Sequence, residues 1–146
     1  MMKAVDRQKE ILLAEDNPAD VSFLHQAFRR YGHLPCRIHS VRDGEAALAF
    51  LRQRGVYAGM PRPDLVILDI GLPKLGGWKV LQTLRVIPAL APIPVVMLTG
   101  AMMEADEAHR AALRPLAYLV KPLQFREYQP LVEELEKLLT TVPGNG

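Results

Sequence analysis

Cysteine is almost missing: the 146 residues contain one, Cys36. That excludes an intrachain disulfide framework and a cysteine-rich metal knot, and it fits a reducing cytoplasm best. Excess charge of either sign is missing too. Eighteen Lys and Arg against sixteen Asp and Glu leave +2, so nothing in the balance calls for a polyanionic partner. No basic stripe with interleaved aromatics occurs, and Arg29-Arg30 reads as the solvated face of a helix. Residues 1–9 (MMKAVDRQK) lack the apolar core of a signal peptide. The longest charge-free stretch, residues 86–103, reaches about the minimum length of a membrane span. Pro88, Pro92 and Pro94 interrupt it and Thr99-Gly100 closes it, so it reads as a loop entering a buried strand.

Several familiar motifs are also lacking. There is no GxGxxG. Residues 71–76 (GLPKLG) have the glycine spacing of a phosphate loop, but Gly77-Trp78 stands where Lys-Ser/Thr is required. The four histidines, His25, His33, His39 and His109, form no HExxH and no close pair, and read as surface or helix residues.

What the chain does have is apolar material. At 49% hydrophobic and 23% charged residues it can close a core, and its length suits one domain. Short apolar runs alternate with helical patterns. Residues 11–14 (ILLA) end at Glu15-Asp16; Asn17-Pro18 then looks like an N-cap with proline at the first helical position, Asp20 lies in the first turn, and Val21, Leu24, Phe28 and Tyr31 predict a helix ending before Gly32. Residues 36–41 (CRIHSV) alternate like a strand. Residues 43–54 read as a helix and 55–62 as a surface loop. Residues 65–68 (LVIL) are apolar throughout, as expected of a central parallel strand covered on both faces. Residues 76–85 carry a helical stripe, 88–94 form a connection, and 95–98 (VVML) form another buried strand. Residues 104–113 are Ala-rich and weakly periodic, 118–120 (YLV) make a fifth strand, and 125–139 repeat apolar residues at helical spacing, with Pro130 predicting a kink or a restarted helix. Five strands alternating with five helices predict an α/β fold, a doubly wound five-stranded parallel sheet.

Polar residues follow the strands in a pattern. Glu15-Asp16 follow the first run, Asp69 the third, Thr99 the fourth and Lys121 the fifth. Taken singly, each has a plainer reading as a helix cap, a turn residue or a solvated charge. Together they fall on the carboxyl edge of one sheet, where doubly wound folds bind ligands. Crowded carboxylates repel, and a hard divalent cation held through oxygens offsets this, Mg²⁺ being usual beside phosphate. Such a site suits attack by a carboxylate on phosphorus, with the cation, Lys121 and Thr99 available to the three phosphoryl oxygens.

The motifs ILLAEDN (11–17), LVILDIGLPKLGGWKVL (65–81), VVMLTGA (95–101) and YLVKP (118–122), in this order and spacing, closely resemble the receiver domain of two-component response regulators. The resemblance implies a (βα)5 flavodoxin-like receiver fold and a single-domain regulator in the cytoplasm. Asp69 would accept a phosphoryl group from the phosphohistidine of a sensor kinase, and the protein would assist its own phosphorylation and dephosphorylation without being an enzyme. Asp16 and Asp69 would bind Mg²⁺ directly, the Gly71 carbonyl would complete the protein ligands, and Glu15 would act mainly through water. Thr99 and Lys121 would hold the phosphoryl oxygens, and Lys121-Pro122 would be a cis peptide. Tyr118 resembles the switch aromatic that rotates inward as Thr99 moves to the phosphoryl group; its plainer reading is an edge-strand aromatic. Gly71 and Ala101 stand where the family tunes dephosphorylation.

Within the family, the LPK after Asp69, the 55–62 loop and the proline-rich 86–94 connection look like the small regulators that partner phytochrome-type kinases. Similar members pair as homodimers through the fourth helix, fifth strand and fifth helix; the stripe over 128–139 would serve that, or would only cover the sheet. The sequence departs from the family at Gly76, at Gly100 and at residues 114–117 (RPLA). The expected organisation is a flexible N-terminus (1–9), a receiver (10–140) and a flexible tail (141–146), with no room for an effector domain, so that output runs through binding a downstream protein or through phosphotransfer, with no nucleic acid and no membrane. Two other classes stay open: a metal-dependent aspartyl-phosphate hydrolase, which wants a second acid where Gly71 stands, and an unphosphorylated pseudo-receiver binding module.

Overall fold

Ten elements alternate along the chain in a computed structural model that describes residues 7–101, 103 and 106–141. They are β1 (Lys9–Ala14), α1 (Pro18–Tyr31), β2 (Cys36–Val41), α2 (Gly44–Leu51), β3 (Leu65–Asp69), α3 (Gly77–Arg85), β4 (Val95–Thr99), α4 (Glu107–Leu113), β5 (Ala117–Val120) and α5 (Tyr128–Thr141). All neighbouring strands pair in parallel, in the order β2-β1-β3-β4-β5. The order reverses between β1 and β3, which opens a crevice beyond their carboxyl ends.

Period-two alternation along the strands divides the core into two layers. Leu12, Ala14, Val66, Leu68 and Met97 face α2 and α3, packing on Phe50, Trp78, Leu81 and Leu84. Ile11, Leu13, Leu65, Ile67, Val96 and Leu98 face α1 and α5, packing on Leu24, Leu131, Val132 and Leu135. Every residue of β3 and β4 is buried, in keeping with the unbroken apolar runs.

Helix starts follow local chemistry. Asn17 Oδ1 accepts from the backbone N–H of Ala19 and Asp20, Pro18 opens α1, and α1 ends before Gly32, whose N–H returns to the Phe28 carbonyl. Asp43 caps α2 through the Ala46 N–H at 2.7 Å. Pro130 lies in the first turn of α5, where a missing N–H costs nothing, and a 3-10 turn over Phe125–Glu127 precedes it. The helix therefore restarts rather than kinks. α4 buries no side chain, which accounts for its weak periodicity; its expected start at 104 and 105 lies outside the described residues. The 55–62 loop contains a 3-10 turn, Gly55–Tyr57. Lys9, expected in the flexible N-terminus, already pairs with Cys36, and Thr141 still belongs to α5; Arg7 and Gln8 lie outside any helix or strand, and 1–6 and 142–146 lie outside the described residues.

The α5 stripe covers the chain's own sheet: Tyr128, Leu131, Val132, Leu135 and Leu139 are all buried. Of the larger apolar side chains on β5 and just before it, Leu116 and Val120 are exposed. Among the described residues no helix is long and apolar enough to cross a membrane.

Glu136 was hidden from a pattern reading, because a lone acid beside an apolar stripe looks solvated. It is buried, and Oε2 accepts from the N–H groups of His33 and Leu34, each at 2.7 Å, tying α5 to the turn between α1 and β2. Glu136→Ala would strand both donors and is expected to cost about 2–3 kcal/mol, measured as a fall in urea midpoint at constant slope.

Candidate functional site

Backbone pairing continued past the strand ends sets the site. Glu15 N–H donates to the Val41 carbonyl at 3.0 Å, Ile70 N–H to Leu98 at 3.1 Å, and Lys121 N–H to Thr99 at 2.6 Å. Glu15, Asp16, Asp69 and Lys121 therefore gather at one edge. One carboxylate oxygen from each of Glu15, Asp16 and Asp69 lies within 4.8 Å of the others. Lys121 Nζ sits 2.9 Å from Glu15 Oε2, 3.2 Å from Asp20 Oδ2 and 3.3 Å from Asp69 Oδ2.

Burial gives these charges their weight. Glu15 is 2% exposed and Asp69 8%, whereas Asp16 is open to solvent. Burial pushes Glu15 up to about 7, the Asp69 charge adding to the rise while the Lys121 ammonium and the Asn17 N–H oppose it. Lys121 is also penalised by burial, but Glu15, Asp69 and Asp20 together more than offset that and hold its pKa above the ordinary lysine value. Glu15 Oε1 accepts from Asn17 N–H at 3.1 Å. Its Oε2 is buried and has the Lys121 ammonium as its near neighbour, 2.9 Å away. Three carboxylates crowded within 4.8 Å, all of them oxygen donors, fit a hard divalent cation.

Other expected residues take more specific positions. Gly71 presents its N–H to Asp69 Oδ1 at 3.2 Å. Thr99 Oγ1 is turned to the Ala101 backbone, donating to its carbonyl at 3.0 Å and accepting from its N–H at 3.3 Å. Lys121-Pro122 is trans, as is every peptide bond among the described residues. The expected cis bond is thereby corrected, trans being the lower-energy isomer of an X-Pro bond by about 0.5–1 kcal/mol. Arg114 adopts φ 47°, the left-handed cap after α4 that a glycine would take more easily, and this carries the family departure at 114–117.

Tyr118 is already inside. Its hydroxyl donates to Asp106 Oδ2 at 2.5 Å, Trp78 Nε1 donates to the other oxygen at 3.0 Å, and the two rings stack at 6.0 Å. Arg110 lies 4.7 Å over the Tyr118 ring and His109 stacks on Trp78 at 5.2 Å. Tyr118 thus needs no rotation to become buried in this conformation, because Asp106 and Trp78 hold it there. Asp106→Ala is expected to cost about 1–3 kcal/mol and to shift the emission of Trp78, the sole tryptophan, to shorter wavelength as its buried indole N–H loses its acceptor.

Asp20 and Asp106 were missed as site residues. Asp20 carried a signal, four residues past Asp16 on the turn entering α1, but helix-dipole stabilisation explained it sufficiently. Asp106 carried none.

The response regulator receiver domain family matches residues 11–133. Response regulator Rcp1 of Synechocystis sp. is 39% identical over 128 residues, covering 88% of this chain and 86% of that protein. The crystal structure of the phosphorylated cyanobacterial phytochrome response regulator RcpA superposes with a TM-score of 0.85 at 35% identity, over 94% of this chain and 100% of the other. The Mn²⁺-bound form of Rcp1 does so with a TM-score of 0.82 at 36% identity, over 93% and 99%. A doubly wound 2-1-3-4-5 sheet with three acids and a lysine on its carboxyl edge, and matches of this extent, make the chain a member of the response regulator receiver domain family.

Proposed function

We propose that Asp69 is the phosphoacceptor, receiving a phosphoryl group from the phosphohistidine of a sensor histidine kinase. The observation that carries this is the sharing of Lys121 between Asp69 and the buried Glu15 at the crevice. Asp69 forms a new P–O bond as the donor's bond to phosphorus breaks, and the donor leaves with the electron pair. Lys121 is placed to take a phosphoryl oxygen, and Thr99 reaches another by giving up its bonds to Ala101. Asp16, Asp69 and the Gly71 carbonyl would hold Mg²⁺ directly and Glu15 mainly through water, and the cation would neutralise the crowded carboxylates and the phosphoryl charge when bound. Against a hydrolase stands Gly71, which offers an N–H where that chemistry wants a second acid.

Likeness to phytochrome response regulators supports a phytochrome-type kinase as the donor, in the cytoplasm. Output runs through phosphorylation-dependent protein binding or onward phosphotransfer, and the exposed Leu116 and Val120 support a homodimer through the α4–β5–α5 face. Incubation with acetyl phosphate and Mg²⁺ is expected to add one phosphoryl group by mass, labile to hydroxylamine as an acyl phosphate is. An unchanged mass overturns the assignment.

Mg²⁺ binding should depend on pH. Above pH 7 Glu15 is ionised; below it Glu15 carries a proton that the cation must displace or tolerate, because the burial-raised value is about 7. Affinity is therefore expected to fall as pH drops through 7, approaching about tenfold per unit if one proton is displaced. Calorimetry in buffers of different ionisation enthalpy reads the released proton directly.

A further inference from the structure

We propose that Asp20 is a positioning residue for phosphoryl transfer, holding the Lys121 ammonium at the mouth of the crevice. This rests on the reading of Asp69 as phosphoacceptor. Three carboxylates surround Nζ: Glu15 at 2.9 Å, Asp20 at 3.2 Å and Asp69 at 3.3 Å. Two of the three, Glu15 and Asp69, belong to the oxygen cluster that suits a cation, and Asp20 does not. When Asp69 becomes an acyl phosphate its carboxylate charge is lost and Glu15 is committed to the cation. Asp20 is then the remaining carboxylate on Lys121, fixing where the ammonium meets the phosphoryl oxygen.

Local structure frees Asp20 for this task. Its N–H, like that of Ala19, is taken by the Asn17 side chain, so its own carboxylate is not needed to cap α1. Instead it reaches across 101 residues of sequence to Lys121. Its side chain is 27% exposed, the solvent-side wall of the ammonium's cage. Lys121 is pinned at its other end by its N–H on the Thr99 carbonyl. The residue thus spans the crevice from β4 to α1, and the α1 end of that span depends on Asp20.

Alanine removes both the charge and the acceptor of Asp20, while asparagine removes the charge and keeps an acceptor oxygen. In ¹⁵N-labelled protein the Lys121 ammonium, assigned by its disappearance in Lys121→Met, is expected to be protected from exchange. Protection should be lost in Asp20→Ala and kept in Asp20→Asn. With acetyl phosphate and Mg²⁺, Asp20→Ala is expected to slow phosphoryl uptake by about fivefold, and Asp20→Asn to recover most of the rate. In the Lys121→Met background Asp20→Ala should have no further effect. Equal slowing by alanine and asparagine, a persisting effect without Lys121, or an unchanged ammonium signal in Asp20→Ala would each overturn the proposal. No phosphoryl uptake by the unaltered protein would instead overturn the Asp69 reading, and the ammonium comparison would still decide whether Asp20 positions Lys121.

Discussion

Asp69→Asn is expected to take up no phosphoryl group from acetyl phosphate while keeping the fold. A carboxamide oxygen is too weak a nucleophile to displace a leaving group from phosphorus, yet it still accepts hydrogen bonds. Asp69 accepts from Gly71 N–H through Oδ1 at 3.2 Å and from Lys121 Nζ through Oδ2 at 3.3 Å; the single carboxamide oxygen keeps one of these bonds, and relief of the repulsion from Glu15 and Asp16 offsets the other. Unfolding should be unchanged or slightly harder, since a buried negative charge has gone. Because that charge helps to raise Glu15, the pH below which Mg²⁺ binding weakens should move down in the variant. Affinity itself should fall about tenfold or more for one lost carboxylate ligand. Mass spectrometry and Mg²⁺ titration across pH check the two parts separately, and phosphoryl uptake by Asp69→Asn would place the acceptor elsewhere.

Gly77→Ala is expected to destabilise the protein by about 3 kcal/mol and to slow phosphoryl uptake by about tenfold or more. A Cβ at Gly77 would stand 2.4 Å from the Asp69 carbonyl oxygen and 3.0 Å from both the Asp69 carbonyl carbon and Ile70 Cα. These are backbone atoms, so no side-chain rotation relieves the overlap. Either α3 retreats, breaking the 3.0 Å bond from Gly77 N–H to the Ile70 carbonyl, or the peptide that carries Asp69 moves. Gly100→Ala is the control: a Cβ there meets nothing within 4 Å, and its stability should be nearly unchanged. Denaturant unfolding and uptake kinetics on the three proteins separate crowding from a general intolerance of alanine.

What the amino-acid order reveals depends on how far apart the cause and the effect lie. Residues 65–68 and 95–98 declared themselves because a strand covered on both faces leaves no room for a polar residue. Asn17-Pro18 declared the start of α1 because the cap acts over two or three residues. Acids and a lysine placed just after strands were legible because a parallel sheet brings its carboxyl ends together. Whatever pairs across the fold was not. Asp20 meets Lys121, Glu136 meets the turn at His33, and Asp106 meets Trp78 and Tyr118 only once the sheet has been wound. Side-chain direction was equally hidden: nothing local told that Thr99 would turn to Ala101, or that Tyr118 would already lie inside. The Lys121-Pro122 bond shows a further limit, since proline narrows the choice between isomers without making it.

α4 buries no side chain, and Leu113 at its end is its one hydrophobic residue packed against the core. It is held by Asp106 on the Trp78 and Tyr118 donors at its start, and by His109 on the Trp78 ring and Arg110 over the Tyr118 ring along its length. A two-state element thrown from about 1:99 to 99:1 needs roughly 5.5 kcal/mol of differential binding. A helix seated along its whole length on a core would put its release beyond that scale. One held like a drawbridge, by a few polar and ring contacts worth about 1–3 kcal/mol each, would keep its release within the reach of a single phosphoryl group.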